Sequence, residues 1–425
     1  DHPKVAIILH RLGNLYWEKG IFSDSLECYG AVLKMMDKDP SLKFKNMESV
    51  FNNMGYILYN VGDFDKAASM YKEALDVAIH DVKDSDYTSN SGILAIRNNY
   101  ANVLVQVGRC EEAIDLYEEA LRAKELLDGP GSIGSTNLMY NIGTAYMKSG
   151  KLSKSLEYFE KARAIRTREL GAEHMDVMVV YSQIGSVYAA MNNFETSKRI
   201  YTKVLRTRND RLGAEDENTM NSMMNQAFVL YKCGDFDVAF EFYENLLLLT
   251  NEYDNELRAA IFHGMGNIHV KRREFDKAVK SYCDALQLKK KLDTLEKKAV
   301  GRSIARSQHN LGMVYCQQML LIEAEVTLGE ALKTSKEVMK PNDTEIGKIL
   351  VDLGKVHYKK PDYELAKSSF VRAKKIFLDA KLPEDHVLMR SVDERLKKTA
   401  RRIARSKKSL DESGLMSTEP ATVFL

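Results

Sequence analysis

The sequence predicts an all-α protein: a row of nine helix–turn–helix repeats closed by one further helix. Three observations carry that reading. Helix formers dominate a chain of 425 residues that holds only 7 Pro, and strand signals are nearly absent. A small residue returns as Gly13, Gly55, Ala101, Gly143, Gly185, Ala227, Gly266, Gly312 and Gly354; the steps average about 42–43 residues, a solenoid period. The length also exceeds what one compact core encloses, since cores stop growing near about 250–300 residues. Domains in series or a repeat array therefore remain, and the recurrence selects the array.

Each repeat reads alike. Segments such as Leu12 to Gly20 (LGNLYWEKG), Met54 to Gly62 (MGYILYNVG) and Ile142 to Gly150 (IGTAYMKSG) form the end of a first helix. Nine residues after the small residue stands Phe22, Phe64, Cys110, Leu152, Phe194, Phe236, Phe275, Leu321 or Tyr363, where a second helix takes over. Twelve residues after it comes Ser25, Ala67, Ala113, Ser155, Ser197, Ala239, Ala278, Ala324 or Ala366. Four further on is a ring: Tyr29, Tyr71, Tyr117, Phe159, Tyr201, Tyr243, Tyr282 and Phe370, with Leu328 in the eighth repeat. Small residues let two backbones approach and the ring fills the gap between pairs. Irregular steps fall in connectors such as His80 to Asn90, and Pro361 occupies the ninth turn. Past Pro383 an amphipathic helix is expected from Glu384 to Lys408, with Val387, Leu388, Val392, Leu396 and Ile403 on its apolar side. It would cover the apolar face that a terminal repeat leaves open. The expected organisation is thus residues 1–380 as repeats, 381–409 as a basic capping helix and 410–425 as a disordered tail.

These columns resemble the tetratricopeptide repeat, whose signature is Trp-x2-Leu-Gly-x2-Tyr followed by Ala-x3-Phe. The resemblance covers about residues 4–380, with a unit longer than the usual 34 residues. The connectors Asp1 to Ala6, Gly171 to Val177 and Gly213 to Asn218 resemble the Gly-x-Asp-His-Pro-x-Val linker of kinesin light chains. Asn52-Asn53-Met54-Gly55, Asn98-Asn99-Tyr100-Ala101 and His309-Asn310-Leu311-Gly312 resemble that family's Asn-Asn-Leu-Ala helix start. The resemblance implies a right-handed α-solenoid superhelix of about nine such repeats whose first helices line a concave groove. Kinesin light chains carry fewer repeats behind a heptad coiled coil that grips the motor; no heptad run precedes the repeats here, so motor attachment is not carried over. The chain opens at Asp1 without an initiator Met, as expected of a fragment.

Composition excludes several function classes. Lys+Arg 62 against Asp+Glu 60 leaves a net charge of +2, far from the basic excess of a dedicated nucleic-acid binder. No apolar run approaches the roughly 18 residues of a membrane span. Cys28, Cys110, Cys233, Cys283 and Cys316 are odd in number and lack CxxC spacing, which argues against disulfides or structural zinc and fits a reducing, cytoplasmic location. Gly129-Pro130-Gly131-Ser132-Ile133-Gly134 spells a dinucleotide fingerprint but follows no strand and reads as a flexible loop. His263 and His269 miss the i, i+4 spacing of a shared metal and read as groove or packing residues. No nucleophile elbow is present, so no enzyme, cofactor or metal is expected.

Function is expected in the groove. Two residues before the small column stand Asn53, Asn99, Asn141, Asn225 and Asn310; one residue after it stand Asn14, Asn102 and Asn267. An amide offers donors and acceptors to an extended peptide, although it can equally bond the neighbouring repeat. Five residues after the column come Lys148, Lys232, Lys271 and Lys359, a field that favours acidic ligands. The resemblance implies the same, since kinesin light chains take tryptophan-acidic segments. The expectation is a protein-interaction adaptor that binds an acidic partner segment. The alternative is a helical repeat that binds nucleic acid through Arg395, Lys397, Lys398, Arg401, Arg402, Arg405, Lys407 and Lys408. A chaperone-type carboxylate clamp at His263, Asn267, Asn310, Lys348 and Asp352 is disfavoured, because Asp352 would repel a carboxylate. The final Val423-Phe424-Leu425 has the ending that PDZ domains capture. Neither the partner nor the oligomeric state is legible.

Overall fold

The computed structural model describes residues 3–38, 47–81, 90–251, 254–292 and 297–412, and every regular element among them is helical. First and second helices alternate as α1 (Pro3–Glu18) and α2 (Phe22–Lys38), α3 (Met47–Asn60) and α4 (Phe64–Asp81), and α5 (Ser91–Gln106) and α6 (Cys110–Asp128). They continue as α7 (Thr136–Lys148) and α8 (Leu152–Leu170), α9 (Met175–Ala190) and α10 (Phe194–Leu212), and α11 (Glu217–Cys233) and α12 (Phe236–Leu249). The last are α13 (Asn255–Lys271) and α14 (Phe275–Leu292), α15 (Lys297–Gln317) and α16 (Leu321–Val338), α17 (Thr344–Lys359) and α18 (Tyr363–Asp379), then α19 (Val387–Glu412). Contacts gather the chain into two compact units, residues 1–222 and 223–425, divided within α11. The tail ending in Val423-Phe424-Leu425 and most of the connector from His80 to Asn90 lie outside the described residues.

The pairing follows from one contact. A Cβ placed on Gly13, Gly55, Gly143, Gly185, Gly266 or Gly354 would lie 2.6–3.0 Å from the ring sixteen residues later. At Gly312 the same space is taken by Leu328, whose Cγ stands 2.8 Å away. Each first helix therefore rests its backbone on the ring of its own second helix. The rings are nearly all removed from water; Tyr29 and Phe159 are fully buried. Burying such a side chain contributes on the order of 2–3 kcal/mol per repeat. Where the twelfth-residue column is serine, the hydroxyl donates to the carbonyl opposite: Ser25 to Gly13 (2.9 Å), Ser155 to Gly143 (2.7 Å) and Ser197 to Gly185 (2.8 Å).

The turn inside each repeat reverses the chain through one left-handed residue. Gly20, Gly62, Gly108, Gly150 and Gly234 supply it at φ 72–94°, a region glycine enters without Cβ strain. The remaining repeats place Asn192, Arg273, Met319 and Pro361 there, also at positive φ. Between repeats the connectors end one helix and start the next. Gly171 (φ 91°) closes α8 and His174 Nδ1 accepts the Asp176 amide at the start of α9. Gly213 (φ 85°) closes α10 and Asp216 accepts from Asn218 and Thr219. The Gly-x-x-His and Gly-x-x-Asp connectors are thus a stop signal and an N-cap three residues apart. The Gly129–Gly134 segment, expected as a flexible loop, is pinned: Arg168 donates to the Gly131 carbonyl at 3.0 Å and a short 3-10 turn spans Ile133–Ser135.

The last helix continues the repeat register. In α19, Met389 and Val392 are buried in one cluster with Ala373 and Phe377 of α18. Its start falls at Val387 rather than Glu384, because His386 Nδ1 accepts the Leu388 amide, and it runs to Glu412, past residue 409. Counting from Gly354 at the repeat period, the small-residue position of α19 is Lys397, which is exposed.

Met319 tests the turn. It holds φ 64° with a side chain 60% exposed, so Met319→Gly removes strain while losing little packing. The expected outcome is a gain of about 0.5–1 kcal/mol in denaturant unfolding.

Candidate binding surface

The polar positions of the first helices form a hydrogen-bonded row. In the first unit the ring hydroxyl bonds its own first helix: Tyr29 donates to Asn14 (2.6 Å), Tyr117 donates to Asn102, and Tyr201 pairs with Ser186 (2.7 Å). Phe159 has no hydroxyl, and there Thr144 turns to the Tyr140 carbonyl instead. Neighbouring repeats are then joined. Asn53 donates to the Tyr29 hydroxyl (3.1 Å), Asn99 to Asn52 (3.2 Å) and Asn141 to Asn98 (2.9 Å). Further along the same helices Lys148 donates to Gln106 (3.0 Å), which donates to the Tyr59 hydroxyl (3.2 Å).

The second unit repeats the arrangement. Tyr282 donates to Asn267 (2.7 Å), and Asn310 of the next repeat donates to the same oxygen (3.0 Å). His309 pairs with Asp352 at 2.7 Å and Lys355 also reaches that carboxylate. Burial pushes the Asp352 carboxyl up, but the His309 and Lys355 contacts outweigh it and hold it below the ordinary range. Asn225 is half-buried on α11, whereas Lys232 and Lys271 are exposed at equivalent positions of α11 and α13. Lys232 Nζ lies 5.4 Å from the Phe228 ring centroid and 5.9 Å from that of Tyr231, and Phe228 is 46% exposed. The ammonium and the exposed ring attract one another as a cation–π pair.

All eight asparagines singled out in the sequence thus lie half-buried on first helices. Seven of them, Asn14, Asn53, Asn99, Asn102, Asn141, Asn267 and Asn310, take part in bonds within or between repeats. Each such amide uses one N–H or one oxygen in the bonds named, and carries two donors and two acceptor lone pairs. Sequence reasoning missed Asn52 and Asn98 as the receiving partners. The doubled asparagines, Asn52-Asn53 and Asn98-Asn99, were the available signal: one member reaches back and the other accepts from ahead.

The clamp set does not assemble. Asp352 is held by His309 and Lys355, and Lys348 pairs with Glu345 at 2.6 Å. His263 is half-buried and pairs with Ser307 (Nδ1 to Oγ 2.8 Å), and Lys289 donates to the same hydroxyl (2.7 Å) and to the Ser303 carbonyl (3.2 Å). Burial, reinforced by Lys289 and Arg306, lowers His263 to about 3. Burial and Arg306 lower Lys289 to about 8. His269, the other histidine of this helix, bonds Glu274 at 2.6 Å. Among the described residues no cluster of three or more metal-ligating side chains occurs, and no helix is long and apolar enough to cross a membrane.

A tetratricopeptide repeat family model matches residues 46–126, 92–147, 134–210 and 218–291, more than half of the chain, and a second tetratricopeptide repeat model matches 304–345. A search of curated proteins finds no match. Among solved structures, the chain is similar to BtubC (BKLC) from P. vanneervenii, at 22% identity over 56% of this chain and 92% of that one, TM-score 0.43. It is also similar to the apo form of the quorum sensor NprR from B. thuringiensis, at 16% identity over 83% and 97%, TM-score 0.49. MamA 41-end from Desulfovibrio magneticus RS-1 follows at 16% identity over 49% and 97%, TM-score 0.37.

Lys289 supplies a pH test. Its folded value of about 8 lies below the ordinary lysine value near 10.4, so the unfolded chain binds more protons between them. Stability should therefore rise with pH through that window, by on the order of 3 kcal/mol in full. Melting measured from pH 7 to 9.5 should show a rise that Lys289→Met flattens.

Proposed function

Because this chain belongs to the tetratricopeptide repeat family, a protein-interaction scaffold rather than a catalytic fold, we propose that it is an adaptor whose first-helix surfaces bind an acidic, extended or helical segment of a partner protein. The observation that supports this most is on the second unit. Phe228 is 46% exposed beneath the Lys232 ammonium, Asn225 lies one turn away, and Lys271 occupies the position of Lys232 one repeat on. A peptide laid across these helices would meet an amide, a ring and a cation on α11, and Asn267 with Lys271 on α13. Its backbone groups would bond the amides, and its carboxylates would pair with the lysines at modest, salt-sensitive energies. The first unit offers the corresponding row of Asn14, Asn53, Asn99, Asn102, Asn141 and Lys148, where the amides also hold neighbouring repeats together. Asn267 and Asn310 do the same in the second unit. We further propose a cytoplasmic setting, in keeping with cysteines that are all free thiols, Cys28, Cys110 and Cys316 being buried.

Fluorescently labelled acidic peptides test the reading. They should bind with micromolar-scale affinity, and Lys232→Glu with Lys271→Glu should weaken binding at least 10-fold at low salt, with unchanged helicity and melting. Binding that ignores both substitutions and salt would remove the acidic-ligand reading, and tight capture of oligonucleotide through α19 in its place would favour the nucleic-acid alternative.

A further inference from the structure

The eighth repeat turns four apolar side chains outward. Met319 and Leu320 stand in its turn, and Ile322 and Val326 follow on the first turns of α16; they are 60%, 41%, 69% and 59% exposed. At the position of Ile322 the eight other second helices carry only an acid or a serine, with Asp276 and Glu364 on either side. At the position of Val326 they carry only charged residues or serine, with Lys280 and Ser368 on either side. The position of Leu320 is polar in every other repeat but the first. Five repeats put glycine at the position of Met319, which itself holds φ 64°. The fold asks for none of these residues. An acid in the first turn of α16 would favour its dipole, and a glycine in the turn would carry no Cβ strain. A lone exposed aliphatic side chain is ordinary, but four neighbours that each forgo the locally better residue make a patch.

This patch is not a repeat interface left open. The positions of Ile322 and Val326 are exposed in all nine repeats, so the array covers them nowhere and further repeats at either end would not cover them. Toward its neighbours α16 turns Ala324, Leu328, Ala331 and Leu332, all buried. The surroundings define the occupant. Glu323 on α16, Asp276 on α14 and Glu364 on α18 are exposed at the same level of their helices. Among the cations of the flanking turns, Lys359 is held by the Cys316 carbonyl (3.1 Å), Lys360 by Glu325 and Arg272 by Asp237; Arg273 is the further one. The rim is thus acidic on balance and suits a basic partner. A second copy fits poorly. Paired parallel, α16 sets Glu323 against Glu323; paired antiparallel, it sets Ile322 and Val326 against the half that carries Lys333 and Lys336. Four side chains also fall short of the roughly 800 Å² per partner of a specific dimer.

We propose that the outer face of the eighth repeat, centred on Ile322 and Val326, docks an amphipathic α-helix of a partner protein with an aliphatic stripe and basic flanks. Gly329, next along the same face, has open space where a Cβ would stand, and lets that helix lie close. It is a site separate from the first-helix surface.

The probe is a stapled model helix of leucine and lysine, with leucines at i, i+3, i+4 and i+7. Added to the full chain, it should bind saturably in the micromolar range. Ile322→Ser with Val326→Ser introduces the residue that Ser153 and Ser368 already supply in other repeats, so helicity and melting should match those of the parent. That variant should weaken the probe at least 10-fold while acidic peptides on the first-helix surface bind unchanged. Glu323→Lys, which copies Lys277 of the preceding repeat, should weaken the probe at least 3-fold at low salt. No saturable binding up to 1 mM, or binding indifferent to the serine substitutions, would overturn the proposal. So would a dimer in sedimentation that the serine substitutions convert to monomer, since a second copy would then hold the face. Probe binding at least 10-fold tighter to a chain cut after Glu412 would overturn it too, since residues 413–425 would then be the occupant.

Discussion

Everything in this fold depends on a backbone resting against a ring. At seven of the nine small-residue positions there is no side chain at all, and a single added carbon would stand within 3.0 Å of the group opposite. That closeness lets a long first helix and a long second helix lie against each other without a void, and interiors close-packed in this way tolerate little change of volume. The remaining repeats, with Ala101 and Ala227 in the column, keep the same partner rings in Tyr117 and Tyr243.

Polar chemistry is layered on that contact. A ring held at a fixed depth delivers its hydroxyl to a fixed place, and Asn14, Asn102, Ser186 and Asn267 stand where it arrives. Because those acceptors lie on the first-helix surface, the next repeat can reach them or their neighbours, as Asn53 and Asn310 do. The row of amides is therefore cohesive in itself, and each amide keeps donor or acceptor capacity beyond the bonds named. On the proposed reading, such a surface would hold a polypeptide backbone with little demand on side-chain identity, and selectivity would fall to the exposed rings and lysines.

Much of this was legible in the sequence because each structural need recurs. The small residue, the ring sixteen positions later and the serine or alanine between them are spacings, and spacings survive translation into helices without knowledge of tertiary detail. The connectors were readable as family resemblance, yet their reason, a left-handed Gly171 followed by a His174 cap, needed the backbone angles. The partners of the asparagines were not legible, since an amide at a helix surface looks the same whether it faces a ligand or Asn98 of the adjoining repeat. Nor was the buried Ser307–His263–Lys289 cluster, because polar residues in place of the usual aliphatics on α15 signal burial only once the neighbouring helices are in position.

The most direct test exchanges volume across the central contact. Gly143→Val and Phe159→Ala should each destabilise the protein by more than about 2 kcal/mol, the first by overpacking and the second by leaving a cavity. Combined, they should recover at least about 1 kcal/mol relative to the sum of the two, as coupled neighbours do. Unfolding energies that simply add would contradict the account, for they would mean that glycine and ring do not share one space.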